Sequence, residues 1–402
     1  MTIAVVRSPV VAASAREWVV LAVTSVLMVF AQGTVFASLG ISLFAMAGTL
    51  HWSSAQAGSA FTMVVIGACV GAPLPVFLMR RIGARWTLAL GGVVLAVAFL
   101  IASATAKLAT MYAATAIAGV GFSLAANTPG IYLIAGWSGA RAPRMIGLYL
   151  MLGMFGNAIG PPVAQALCAG TGGWRLYWQA MALTGLVMAG ACAWLLREPP
   201  PMAPDAPAVA SGPRYWQIVT AAPFLVMALG MIVTQACVVT VASVIAAHFA
   251  HRGWSADYAA WMLGLQGLIG ALATGASGYL TRHFPPRRML AASLGLEAIG
   301  MVLLAVAHGS PALWGFALTF GMGSCVVLLA VAVLLVRYFG DVGGTTALAT
   351  IWTLAGAAAI GPWIAGLVAD AVGSFGPALA GLGLLLLPIA AGALMMAPPR
   401  GD

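Results

Sequence analysis

The sequence predicts an all-α membrane protein with twelve transmembrane helices in two parallel six-helix bundles, and three observations carry that reading. Of the 402 residues, 62% are hydrophobic and only 6% charged, too few polar side chains to cover a water-soluble globule. Apolar runs repeatedly reach the roughly 20 residues needed to span a bilayer. The chain also repeats itself: Trp52-Ser53, with an apolar run ending in Arg80 and Arg85, recurs 202 residues later as Trp254-Ser255 with a run ending in Arg282 and Arg287. Gly160-Pro161 and Gly361-Pro362 echo each other at an offset of 201, so the duplication extends through most of each half.

Breaks at charges, prolines and glycine clusters place the spans at roughly 18–42, 54–79, 86–105, 109–136, 145–168, 176–196, 217–247, 256–280, 289–307, 311–336, 345–369 and 376–396. Each must be helical, because hydrocarbon offers backbone groups no water, and runs this long exclude barrel strands. The long polar segment 197–216 carries Pro199, Pro200, Pro201, Pro204, Pro207 and Pro213, which prevent a continuous helix and suit a tether. The expected division is an N-terminal bundle over 1–196, a cytoplasmic linker over 197–216 and a C-terminal bundle over 217–402.

Charge sets the expected orientation. With the N-terminus in the cytoplasm, all 17 Lys and Arg except Lys107, Arg175 and Arg252 fall on the cytoplasmic side. Both termini are therefore expected in the cytoplasm, at a bacterial-type inner membrane. The net charge of +9 is topological and calls for no nucleic-acid partner. The first apolar run is too long for a signal h-region, so no secretory signal is read. Cys69, Cys168, Cys192, Cys237 and Cys325 fall inside spans with no CxxC or His-paired spacing, so no disulfide, metal site or cofactor is expected. An enzyme is disfavoured, since no HExxH, GxSxG, acidic pair at one depth or phosphate-binding loop is present.

Twelve spans as six plus six, with the basic turn RRIGAR from Arg80 and its echo RHFPPRR from Arg282, resemble the major facilitator superfamily over nearly the whole chain. Gly33, Phe36 and Gly40, the following Trp52-Ser53, Gly119 and Gly121, Arg141-x-x-Arg144 leading to Gly147, Gly153 and Gly156, and Gly173-Trp174-Arg175 resemble its monocarboxylate and oxalate/formate porter branch. The resemblance implies a transporter, working as a monomer by alternating access on a small organic acid or related metabolite, with protons as a possible partner. It also implies an Asp where Arg80 and Arg282 stand, and a cation in span eight where none occurs between Asp257 and Tyr279. Gly147, Gly156, Gly160 and Pro161 match the G-x8-G-x3-G-P spacing of the family's proton-linked exporters, which keeps export of amphipathic compounds open as the alternative.

In this superfamily spans one, four, seven and ten face the pathway and two, five, eight and eleven flank it. The candidate substrate residues are then Gln32, Asn127, Thr128, Asn157, Thr234, Gln235, Gln266, Trp352 and Thr353, all neutral. Gln32 and Thr234 lie 202 residues apart, with Gln235 beside Thr234, so the halves are expected to present amides or hydroxyls to one ligand from opposite sides. Glu297 is the candidate for proton coupling, because a charge at bilayer depth costs on the order of 2.5–3.5 kcal/mol. Arg81, Arg85, Arg282 and Arg287 are gate candidates or topology anchors. Gly156, Gly160, Pro161, Gly361 and Pro362 are candidates for bending and close approach.

Overall fold

The computed structural model describes residues 15–199, 215–280 and 284–397. Twelve helices in it are long and apolar enough to cross a membrane, and the chain is an integral membrane protein. In chain order, spans one to six are Ala15–Ala37, Ser54–Gly71, Ala84–Ala104, Leu108–Ser138, Arg144–Cys168 and Gly173–Leu195. Spans seven to twelve are Ala222–His251, Ala256–Ala276, Pro286–Val306, Ser310–Gly340, Thr346–Val372 and Gly376–Met395.

The departures from the expected boundaries have local causes. Span one does not stop near residue 42: after a π turn at Gly33–Ala37 it continues as Leu39–Leu50. Ser38 marks the kink, its N–H and hydroxyl both donating to the Gly33 carbonyl at 2.9 and 2.6 Å. Span two halts at Gly71 and resumes as Leu74–Ile82, since Pro73 and Pro75 lack the N–H groups that would carry the ladder across. Span seven starts later than expected because the extended Ala221 separates it from the short helix Tyr215–Val219. Spans ten and eleven join at Gly340, whose φ of +73° turns the chain back on itself.

Spans three and six, and nine and twelve, pack as pairs on the outside of their halves. The halves meet where span two lies on span eleven, span five on span eight, and Leu39–Leu50 on span seven. Small residues make these approaches possible, as expected where helices pack without a hydrophobic driving force. A Cβ on Gly40 would sit 1.9 Å from the Ala242 carbonyl oxygen, and one on Gly264 2.6 Å from that of Ala158.

Close contacts between the halves occur at the end bearing the connections after the odd-numbered spans, called here the outer end. Span two meets span eleven there from Ser54 and Ala55 down to Cys69, which lies against Gly356. Farther along span eleven toward the inner end, Trp352, Thr353 and Leu354 are exposed, between the buried Ile351 and Ala355. The two halves are thus in contact at the outer end.

Gly67 and Gly119 face each other where spans two and four cross; a Cβ on either would come within 2.0 and 2.1 Å of the opposing carbonyl oxygens of Ala116 and Val64. Gly119→Val is therefore expected to cost roughly 1–3 kcal/mol or more. Gly190→Ala, where a Cβ meets nothing within 4 Å, should leave stability unchanged. Thermal unfolding in detergent measures both.

Candidate functional site

Two pairs of polar side chains lie at mid-span depth. The first joins spans one and five: Gln32 Nε2 donates to Asn157 Oδ1 at 3.3 Å, and both residues are half-buried. Gln32 immediately precedes the π turn, so the wider local winding sets the angle at which its amide leaves span one. Gly156 and Gly160 bring span five onto that turn, a Cβ on Gly160 lying 2.6 Å from the Gly33 carbonyl oxygen. Asn157 also marks the crossing with span eight, where a Cβ on Gly267 would lie 2.6 Å from its carbonyl carbon. The amide pair therefore stands at the junction of the two halves.

The second pair lies within the C-terminal half. The Thr234 hydroxyl donates to Glu297 Oε2 at 2.8 Å, tying span seven to span nine, and the two residues are 1% and 0% exposed. Gly323 lets span ten close over them, since a Cβ there would sit 2.6 Å from the Glu297 nitrogen. Glu297 Oε1 has no hydrogen-bond partner among the described residues. Thr234 is turned toward span nine, whereas Gln32 is turned toward span five. A fully buried carboxylate needs donors, and it draws the Thr234 hydroxyl away from the interface between the halves. Gln235, next in sequence, is half-buried.

The other candidates are dispersed. Gln266 is buried where span eight meets span ten, against Gly321. Thr128, Trp352 and Thr353 are exposed, and the Thr353 hydroxyl donates to its own helix at Ala349. Asn127 begins the second segment of span four after the extended Ala126, and its side chain lies outside the described residues. Gly361 and Pro362 repeat in span eleven what Gly160 and Pro161 do in span five: a Cβ on Gly361 would meet the Thr240 hydroxyl of span seven at 2.5 Å.

The basic turns act within each half. The Arg85 side chain donates to the Leu196 carbonyl at the end of span six, and Arg287, its counterpart at an offset of 202, donates to the Met396 carbonyl at the end of span twelve. Each arginine thus ties the last helix of its half to the first turn of the third, and Arg81 stacks on Phe77 with 4.5 Å to the ring centroid. Arg282 lies outside the described residues. The acid that the family pattern places at position 80 is replaced by one from elsewhere: Glu198 Oε1 accepts the Arg85 N–H at 2.8 Å, capping span three beside Gly83, whose φ is +87°.

Sequence reasoning passed over three further acids. Glu17, 2% exposed, pairs with Arg141 at 2.5 Å and anchors span one to the connection between spans four and five. Glu198 caps span three, and Asp370 accepts hydrogen bonds from Ser54 and Ala55 of the other half. Scarcity was the available signal: with only eight Asp and Glu in 402 residues, each one's place in the fold is informative.

A family model described as the Major Facilitator Superfamily matches residues 25–250. Among solved structures, a bacterial homologue of the human lysosomal transporter Spinster, inward-facing and unoccupied, gives a TM-score of 0.72 at 16% identity over 94% of this chain and 95% of that one. A variant of the nucleoside transporter NupG gives 0.72 at 12% identity over 94% and 97%. A second NupG structure gives 0.67 at 11% identity over 95% and 97%. These likenesses are of fold. No curated protein sequence matches the chain.

The Thr234–Glu297 bond makes a stability prediction. Thr234→Val keeps the side-chain shape and leaves the buried carboxylate with neither oxygen bonded, which should cost about 1–3 kcal/mol, read as a lower unfolding midpoint in detergent. Gln235→Leu should leave that midpoint near the parent's.

Proposed function

We propose, for a chain that belongs to the Major Facilitator Superfamily and so moves a small solute across a membrane, that the solute is a monocarboxylate-like organic acid or related metabolite carried together with a proton by alternating access. The observation that carries this reading is the amide pair Gln32–Asn157 at the junction of the halves. Between Asp257 and Tyr279 in span eight there is no Lys or Arg, and span one has none beyond Arg16. A bare carboxylate at that depth would go uncompensated, whereas a protonated acid presents one donor and one acceptor, which a carboxamide matches. Asn157, on a helix that touches both halves, is the residue assigned to hold the solute with Gln32.

The bias of basic residues in the connecting loops supports both termini in the cytoplasm, at a bacterial-type inner membrane, which puts the outer end on the far side of that membrane. The functional unit is a single chain of two bundles joined through residues 197–216. Glu297 is assigned to proton coupling: it is a carboxylate at mid-span depth, held by Thr234 on the helix that also carries Gln235. A second reading, proton-linked export of amphipathic compounds, is favoured by Gly156 and Gly160 packing against the irregular turn of span one, a bend of the kind that span-five pattern provides.

Uptake into proteoliposomes separates these readings. Saturable uptake of a labelled monocarboxylate, rising as the outer pH is lowered and reduced about tenfold by Gln32→Leu or Asn157→Leu, is the expected result. Uptake of nucleosides alone would move the assignment to neutral solutes, and extrusion of lipophilic cations with no acid uptake would establish the second reading. Glu297→Gln, which can still bond Thr234, should remove the pH stimulation; unchanged stimulation would reduce Glu297 to a packing role.

A further inference from the structure

We propose that Asp370 is a positioning residue for the transport cycle, a latch that holds the two halves together at the outer end by capping a helix of the opposite half. Asp370 stands in the last turn of span eleven. Its Oδ1 accepts the Ser54 N–H at 3.2 Å and its Oδ2 the Ala55 N–H at 3.0 Å. Those two N–H groups open span two, where the helix itself supplies no acceptor and its dipole favours negative charge.

The rest of that helix end is already satisfied locally. Ser53 and Gln56 form a reciprocal capping box: the Ser53 hydroxyl accepts the Gln56 N–H, and the Gln56 side chain accepts the Ser53 N–H. The box leaves the N–H groups of Ser54 and Ala55, and these are the two that Asp370 takes. The first turn of span two is completed only by a carboxylate from the other half.

Around this contact the backbones are close. A Cβ on Gly366 would lie 2.6 Å from the Ala55 Cα, and one on Gly58 2.4 Å from the Pro362 carbonyl oxygen. Opening the outer end must break both hydrogen bonds, so the carboxylate favours the outward-closed state alone, as a residue must to bias a conformational equilibrium. Asp370 joins no ion pair among the described residues, so the helix end is its partner. The repeat does not duplicate it: at an offset of 201 stands Ala169, and one of the two outer interfaces is latched in this way. At the inner end the family's Asp position holds Arg80, so the acid that biases the cycle sits at the opposite end of the molecule.

The inference rests on alternating access, and the test keeps the two apart. Spin labels go on the outer connections at Lys107 and His308, in full-length protein with its native cysteines replaced, reconstituted in nanodiscs, and double electron–electron resonance reads their separation. Asp370→Asn and Asp370→Ala should lower the ratio of outward-closed to outward-open molecules by roughly tenfold. Ser54→Pro removes one donor from the other side at a position where proline suits a helix, and Ser53 before it is already extended at φ −72°, ψ 163°. It should shift the ratio the same way, and the double variant with Asp370→Ala should add little. A wedge, Gly366→Val, opens the outer end whatever Asp370 does. If the wedge opens it and the Asp370 and Ser54 variants match the parent, the latch is overturned and alternating access stands. If the wedge yields no second distance, alternating access fails and the latch with it.

Discussion

Hydrocarbon supplies no hydrogen-bond partners, and every polar group held at bilayer depth must find one inside the protein. Regular helix meets that demand for most of the chain, so the informative places are those where it does not. The π turn at Gly33–Ala37 is closed by Ser38, whose N–H and hydroxyl share the Gly33 carbonyl. The 3₁₀ turn at Ala355–Ala359 is closed from another helix, Thr62 donating to the Ala359 carbonyl at 2.6 Å. Both irregular turns lie where spans of the two halves, or of one half, approach most closely. The winding that a pathway requires is thus tied to specific hydroxyls.

The same constraint explains why so few charges matter so much. Glu17 neutralises Arg141, Glu198 caps span three, Asp370 caps span two and Glu297 takes the Thr234 hydroxyl. Three of these contacts do not cross between the halves, two tying elements of the N-terminal half and one those of the C-terminal half. The fourth crosses between halves. Bundles joined by small residues, the Thr62 hydroxyl and one carboxylate suit a rocking motion, because the motion then breaks a short and defined set of contacts.

The duplication repeats mechanical parts and leaves chemical ones single. Arg85 and Arg287 perform the same clamp on the last helix of each half, and Gly160 and Gly361 the same close approach of the fifth helix to the first. Gln32 and Thr234 occupy matching positions yet differ in direction, one bonded across to span five and the other inward to span nine. Backbone packing tolerates duplication because it depends on small residues and spacing. A binding site for one solute has no such need for symmetry.

By itself the sequence determined the membrane, the number of spans, most of their boundaries and the repeat, because these follow from local composition and from the length of apolar runs. It also exposed Gln32, Asn157 and Glu297 as polar groups out of place in hydrocarbon. Which of them meet was decided only by tertiary structure. Gln32 and Asn157 are 125 residues apart and Ser54 and Asp370 316, and no periodicity encodes such contacts. Proline pauses blurred the ends of spans two and seven for a related reason, since whether a helix resumes depends on what packs beyond the break. The partners of Asp370 are backbone N–H groups, which have no residue type to read; only the fold brings that helix end within reach of the carboxylate.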